Sequence, residues 1–413
     1  MKWKKLPRLN ISAINSIFLS LFCFGKITLF SQTPYHAVLQ LNDRLSLPFD
    51  INYSYSSTPN LEIHNGLESI PMRFLTEKKD TLYFEFPEIA GQIIFHKNQQ
   101  QGYWLNLNKT LPLKIPFQFY AVENDQHDVR LDAILDSPFQ NYSGTYDVVF
   151  TDAEGSSQAV GIFQQTHQTV RGTFRTTTGD YRYLSGGIVN GQLQLSCFDG
   201  VHAFLFEARK GKSDSLLGNF YSGPNYRATW CGVLNPQATL PSPYSISYPL
   251  TTNALLSISV KNLNGKHRTL TETYFRGTPV VVQIMGTWCP NCLDETRYFM
   301  ELNKKEAFKK VRFVMVGFEN GANDSDRLKR LKKYVRKIGL NYAVFLGGKA
   351  STQQAGLIFH ALNGVFSFPT TLFLNRKGEI VKVHSGFDGP GTGEYFAQLQ
   401  QETEELLYKL LQE

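Results

Sequence analysis

Two cysteines three residues apart close the segment Gly286-Thr287-Trp288-Cys289-Pro290-Asn291-Cys292. A continuous apolar run, Val280–Met285, precedes it, and the residues from about Cys289 onward read as a helix. Cysteines at i and i+3 can form a disulfide with little backbone movement. At the helix start, Cys289 meets unpaired N–H groups and the positive end of the helix dipole, both of which favour an anion. Such a cysteine is a thiolate at lower pH than a free thiol, so it is the expected nucleophile. Pro290 loses no helix hydrogen bond, because first-turn N–H groups have no partner. Cys292 lies one turn inside and is expected to resolve the mixed disulfide. The pair could instead be half of a zinc site, but that needs a second cysteine pair or paired histidines. Cys23, Cys197 and Cys231 are isolated, and His360 and His384 are not closely spaced. The segment therefore points to thiol chemistry with no metal and no cofactor.

The elements around this segment alternate between strand and helix. Apolar runs at 311–316, 341–346, 371–375 and 379–383 read as strands, the last two joined by an Arg-Lys-Gly turn. Residues 325–338 read as a helix, with Leu328, Leu331, Val335 and Ile338 at spacings of three and four and Gly339 as the stop. A final helix is expected from about Gly393. This alternation implies a sheet with helices on both faces. The basic side of the 325–338 helix, Arg327, Lys329, Arg330, Lys332, Lys333, Arg336 and Lys337, reads most simply as a solvated face, with docking of an acidic partner as the alternative.

Upstream the texture differs. Between about 35 and 240, short aromatic-rich or alternating runs recur, such as 81–86 (TLYFEF), 92–96 (QIIFH), 146–151 (YDVVFT), 170–175 (VRGTFR), 192–198 (QLQLSCF) and 202–207 (HAFLFE). Asn190-Gly191 and Asp199-Gly200 between such runs are hairpin signals. About eight runs between 143 and 233 suffice for an antiparallel sandwich or closed barrel. The turns at 178–181 and 198–200 read as hairpin turns, not as sites. Cys197 and Cys231 fall on different expected strands and could pair or remain free. The expected organisation is a signal segment at 1–31, a β-rich region at 32–140, an antiparallel β-domain at 141–240, and an α/β domain at 241–413 behind a Pro-rich linker.

The 413 residues carry 42 Lys and Arg against 35 Asp and Glu, a formal charge of +7. Lys2, Lys4, Lys5, Arg8 and Lys26 account for most of the excess, and without them 37 basic residues face 35 acidic ones. That near-neutral remainder argues against a nucleic-acid partner. The basic start, the apolar stretch 11–24 and its interruption at Lys26 read as a cleaved export signal, too short to span a bilayer. Cleavage after Ser31 is preferred over cleavage after Gly25. The expected location is the periplasm or cell envelope, where disulfides persist.

WCPNC after a strand, with Phe368-Pro369-Thr370-Thr371 leading into TLFLN, resembles the thioredoxin fold. Residues from about 245 resemble the TlpA/ResA-like family of exported thiol–disulfide oxidoreductases, through Leu263-Asn264-Gly265-Lys266, GTWCPNC and Glu295 three residues after Cys292. The resemblance implies a cis Pro369 opposite the cysteines, leaving the backbone of Phe368 free for substrate. Trp288 reads as an apolar rim beside the site, with a packing role alone as the alternative. The resemblance also implies that Glu295 accepts a proton from the dithiol; the bland alternative is a solvated helix residue. Asp294 is turned about 100° away around the helix. Two positions depart from the thioredoxin pattern. Gln283 stands where a buried Asp is usual, and Arg297 where a Pro is usual. Val282 and Gly286 stand where a peroxiredoxin carries Pro and Thr or Ser, which argues against peroxidase chemistry. The implied activity is reduction of disulfides in other exported proteins, with an unidentified redox partner as electron donor. An oxidase or isomerase using the same residues, or an envelope binding module with an accessory redox site, are the rivals.

Overall fold

The computed structural model describes residues 33–55, 57–108, 112–121 and 140–413. The expected export signal and most of the polar break at 121–142 lie outside the described residues.

Alternation builds the first sheet. In Leu45–Ser54, Leu47, Phe49 and Ile51 are buried while their neighbours are not, the period of two that a half-buried strand requires. Thr33–Asn42 pairs with Leu45–Ser54 on one side and with Leu113–Ala121 on the other, at the centre of a nine-stranded antiparallel sheet. The two ends of the sheet, Glu68–Pro71 and Arg73–Lys78, are consecutive in sequence, and between them Met72 N donates to the Leu61 carbonyl (2.8 Å). The sheet is thereby curled towards a barrel.

The second sheet closes. Gly155–Thr166 pairs with both Gly144–Asp152 and Thr169–Thr176, and the meander of strands from Leu184 to Leu234 returns to Gly144–Asp152. Of the two arrangements left open by the sequence, the barrel is the one formed. Asn190 and Gly191 adopt φ of 51° and 72°, the left-handed pair that a two-residue hairpin loop needs. Phe150, Phe174, Phe206, Phe220 and Trp230 fill the interior, with Phe174 and Phe206 stacked at 4.6 Å between ring centroids. Cys197 is buried and Cys231 exposed, and both are free thiols. A two-residue strand, Gly179–Asp180, pairs back onto Thr169–Thr176, and Tyr181 after it packs on the barrel interior.

The third sheet has seven strands in the order His267–Leu270, Ile258–Asn262, Ala343–Lys349, Arg312–Glu319, Val280–Met285, Thr370–Leu374, Ile380–Ser385. Its middle three are parallel, and all six residues of Val280–Met285 are buried, as a strand covered on both faces must be. Five helices accompany it: α1 (Glu272–Phe275), α2 (Pro290–Lys304), α3 (Asp324–Ile338), α4 (Thr352–Ile358) and α5 (Glu394–Gln412). The short α1 and α4 have no periodic signature in the sequence. This mixed α/β arrangement is thioredoxin-like.

The basic side of α3 is divided: Lys329, Lys332 and Arg336 are exposed as a solvated face would be, but its other flank meets the first sheet. Lys333 and Lys337 reach Glu85 of the first sheet at 3.5 and 3.3 Å. Lys337 Nζ also donates to the Phe86 carbonyl (2.9 Å), and Arg330 Nη1 to the Leu107 carbonyl (3.0 Å). One carboxylate, Glu85, and two backbone carbonyls of the first sheet meet this flank of the helix. Beneath these contacts Leu331 and Tyr334 join Phe84, Phe86 and Trp104 in one buried core that runs from the first sheet to the cysteines.

Candidate active site

Cys289 is the N-cap of α2, and its Sγ accepts a hydrogen bond from the backbone N–H of Cys292 (3.3 Å). It occupies the place where Ser, Thr or Asp usually satisfies a first-turn donor. A sulfur anion there has that donor and the helix dipole directed at it. Cys292 Sγ lies 2.6 Å from Cys289 Sγ, and both are thiols. Exposure separates them: Cys289 is 9% exposed and Cys292 0%. Burial, and then the bond to Cys289, push the Cys292 thiol well above its ordinary value.

The Phe368–Pro369 peptide bond is cis. It turns the Phe368 carbonyl to Cys289 Sγ, 3.5 Å away. Trp288 and Phe368 pack edge to face at 5.6 Å between centroids and form one rim of the site. The loop after Ile380–Ser385 closes behind Pro369, with Gly386 N donating to its carbonyl (2.9 Å).

Glu295 is not a solvated helix residue. It is 2% exposed and lies inside the site. Thr371 Oγ1 donates to its Oε1 (2.8 Å) and Gln283 Nε2 to its Oε2 (2.9 Å). Gln283 also donates to the Cys292 carbonyl (3.2 Å) and accepts from Thr296 Oγ1 (3.0 Å), so it ties the carboxyl to the turn bearing the resolving cysteine. Burial pushes Glu295 up to about 8, against the pull of the Thr371 and Gln283 bonds. Where thioredoxins place one buried Asp, this chain places a Gln–Glu pair, with the acid moved onto the helix.

A second buried carboxylate escaped the sequence reading. Glu319, at the end of Arg312–Glu319, accepts from Thr287 N (2.9 Å) and Thr287 Oγ1 (2.7 Å). It holds the loop before Cys289, and the Trp288 indole N–H donates to the neighbouring Phe318 carbonyl (2.9 Å). Burial raises Glu319 to about 7, with the Thr287 bonds opposing. The one signal was an acid closing the apolar stretch FVMVGF that follows Arg312.

Asp294, turned away from the dithiol as its helix position requires, is also buried. It receives Nη1 of Arg182 from the second barrel. Arg182 binds Glu68 of the first sheet through Nη2 (2.5 Å), and its Nε faces Asp199 at 3.2 Å. Burial alone would lower Arg182, but Asp294, Glu68 and Asp199 more than offset it and hold it above its ordinary value. Burial would raise Asp199, yet His202 and Arg182 hold it at about 2. The turns at 178–181 and 198–200, read as plain hairpins, therefore converge on the helix of the cysteines.

The profile of the Redoxin family matches residues 251–399, a span that contains both cysteines, Glu295 and cis-Pro369. Residues 251–399 are a Redoxin domain. The chain is 28% identical over 127 residues to the thiol-disulfide oxidoreductase ResA of Halalkalibacterium halodurans, covering 31% of this chain and 64% of that protein. It is 27% identical over 132 residues to the thiol:disulfide interchange protein DsbE of Haemophilus influenzae, again covering 31% and 64%. The chain thus spans just under two thirds of the length of these relatives. Among solved structures, MTB dsbF aligns with 39% of this chain and 99% of its own, at 20% identity and a TM-score of 0.29. A thioredoxin-like protein from Porphyromonas gingivalis aligns with 38% and 94%, at 24% identity and a TM-score of 0.29. The Redoxin domain is related to thiol–disulfide oxidoreductases, and the two β-sheets before it lie outside the matched span.

Proposed function

We propose that the protein is an exported thiol–disulfide oxidoreductase that reduces disulfides of other exported proteins. The observation that carries this reading is the pair of thiols at the start of α2, with the outer one facing the carbonyl that precedes a cis proline. Cys289 Sγ, as thiolate, attacks one sulfur of the substrate disulfide. The substrate S–S bond breaks, a mixed disulfide forms, and the departing sulfur takes a proton. Cys292 then loses its proton and attacks Cys289 Sγ. The second substrate thiol leaves, and the protein retains the disulfide. Two electrons pass to the substrate, and a dithiol donor in the envelope restores the pair.

Glu295 is the proton acceptor for Cys292 in this scheme. Its ionised form does this work, and because it ionises near 8, the resolving step gains with pH through that region. Trp288, Phe368 and Pro369 form the substrate-contacting rim. Gln283 and Glu319 are positioning residues, one holding the acid and the other holding the loop before Cys289. Export rests on the basic, apolar and polar sequence of residues 1–31. The test is turnover of a small disulfide under excess reductant, with the dithiol potential measured against glutathione. A strongly reducing potential supports a reductase; one near that of the known oxidants assigns the same residues to oxidation.

A further inference from the structure

Two elements beside Cys289, the loop bonded to cis-Pro369 and the start of α2, are met by a turn from outside the Redoxin domain. Gly386, bonded to cis-Pro369, meets the barrel turn backbone to backbone: a Cβ there would lie 2.7 Å from Thr178 C and 2.9 Å from Gly179 N. On the other side of that turn, Asn291 Nδ2, two residues past Cys289, donates to the Asp180 carbonyl (3.0 Å). A Cβ on Gly179 would lie 2.7 Å from the same Asn291 nitrogen. The turn thus fills the space between the proline loop and the start of α2.

It is also clamped. Arg175 makes a bidentate pair with Asp388 at 2.8 and 2.7 Å and lies 3.6 Å over the Tyr395 ring. Asp180 Oδ2 accepts from Gly389 N (2.5 Å). Bidentate charge-assisted bonds fix orientation as well as distance. The Trp288 and Phe368 rings pack against each other at 5.6 Å. The barrel turn thus touches both the residue bonded to cis-Pro369 and the first turn of α2, and Cys289 between these elements is only 9% exposed.

We infer that the barrel turn 176–182 is a specificity wall for the redox site, admitting small disulfides and disulfides on extended chain segments and excluding those on the surface of folded proteins. The inference rests on the thiol–disulfide reading above and assigns its substrate class. It also gives the barrel a role at the site: its turn supplies a wall that the Redoxin domain lacks.

The experiment compares three probes of the reduced full-length protein: glutathione disulfide, a cystine-bridged peptide without fixed structure, and a folded disulfide protein such as native lysozyme. The parent should reduce the first two at rates within about threefold and the third at least about tenfold more slowly, a discrimination of the size that steric exclusion gives. The double variant Arg175→Ala/Asp388→Ala removes the clamp. It should raise the folded-protein rate about fivefold while leaving the glutathione rate within about twofold. Thr178→Trp, at an exposed position on the rim, should slow the peptide about fivefold and spare glutathione disulfide. This second variant keeps the test decisive if the first fails to fold. Equal parent rates on peptide and folded protein overturn the wall, as does a Thr178→Trp variant with the parent's rates on all three probes. Absence of any glutathione reduction by the parent overturns the oxidoreductase reading instead.

Discussion

Arg182 of the second barrel donates to Asp294 of α2, and the two are 112 residues apart in sequence. Through Glu68 the same guanidinium reaches the first sheet, so one buried cation joins three β- and α/β-units at the back of the redox helix. Removing it takes the shared cation from Glu68, Asp199 and Asp294, which keep only Asn65, His202 with nearby backbone N–H groups, and the more distant Arg297. Arg182→Leu should cost about 3–5 kcal/mol, the usual loss when one partner of a buried ionic group is deleted. Urea unfolding under reducing conditions measures this. A variant with the parent's midpoint would mean the network contributes no net stability.

Exposure predicts the order of thiol reaction. In the fully reduced protein, iodoacetamide should modify Cys289 at least about tenfold faster than Cys292 at neutral pH, because thiol reactivity follows access and thiolate character. Cys292→Ala should accumulate mixed disulfides with substrates, and Cys289→Ala should not. Mass mapping of the first alkylated site decides the matter, and modification of Cys292 first would reverse the assignment.

The raised ionisation of Glu295 makes stability depend on pH with a definite sign. Its folded value of about 8 lies above the ordinary 4.5. The stability it contributes is therefore full below about 4.5 and is lost as pH rises through 8. Glu295→Gln cannot ionise and escapes that loss. Between pH 5 and 8 the stability of the variant relative to the parent should climb by about 1.4 kcal/mol per pH unit. Chemical denaturation of both proteins across this range is the measurement. A constant difference would show that Glu295 is already charged in the folded state. The same substitution should remove the rise of resolving rate near pH 8, seen by stopped-flow decay of a Cys289 mixed disulfide.

Glu319 holds the loop before Cys289 from below. Glu319→Ala leaves Thr287 N without its acceptor, a cost of about 1–3 kcal/mol for a buried donor. Disulfide reduction should slow, while Glu319→Gln, which keeps an acceptor for the N–H, should restore most of the rate. If the Gln and Ala variants are equally slow, the charge of Glu319 matters and not its hydrogen bonds.

Local pattern carried much of the architecture. Asn323 caps α3 by accepting from Asp326 N, and Gly339 ends it at φ 69°, close to the 325–338 span read from spacing. Alternation and turn residues marked the barrel strands, and the cysteine spacing marked the chemistry. What stayed hidden depends on distance in sequence. Arg182 and Asp180 look like ordinary turn residues because Glu68, Asp294 and Gly389, which they bind, are a hundred or more positions away. Asp294 and Glu295 are adjacent acids of equal appearance, yet one faces the barrel and the other the dithiol. Burial of both contradicts the usual exposure of charged helix residues. Only the packing of strands against α2 explains it.

The core that passes from Trp104 and Phe86 into Leu331 and Tyr334 bears on any attempt to cut the chain at its Pro-rich seam. A fragment beginning near residue 241 would carry a freshly bared apolar facet ringed by Arg330, Lys333 and Lys337. Such a facet seeks cover, and it would find it in a second fragment or on any anionic surface offered. The liberated piece would be a stickier molecule than its parent. With Gly386 and Asn291 newly open to solvent, it would also be a less choosy one.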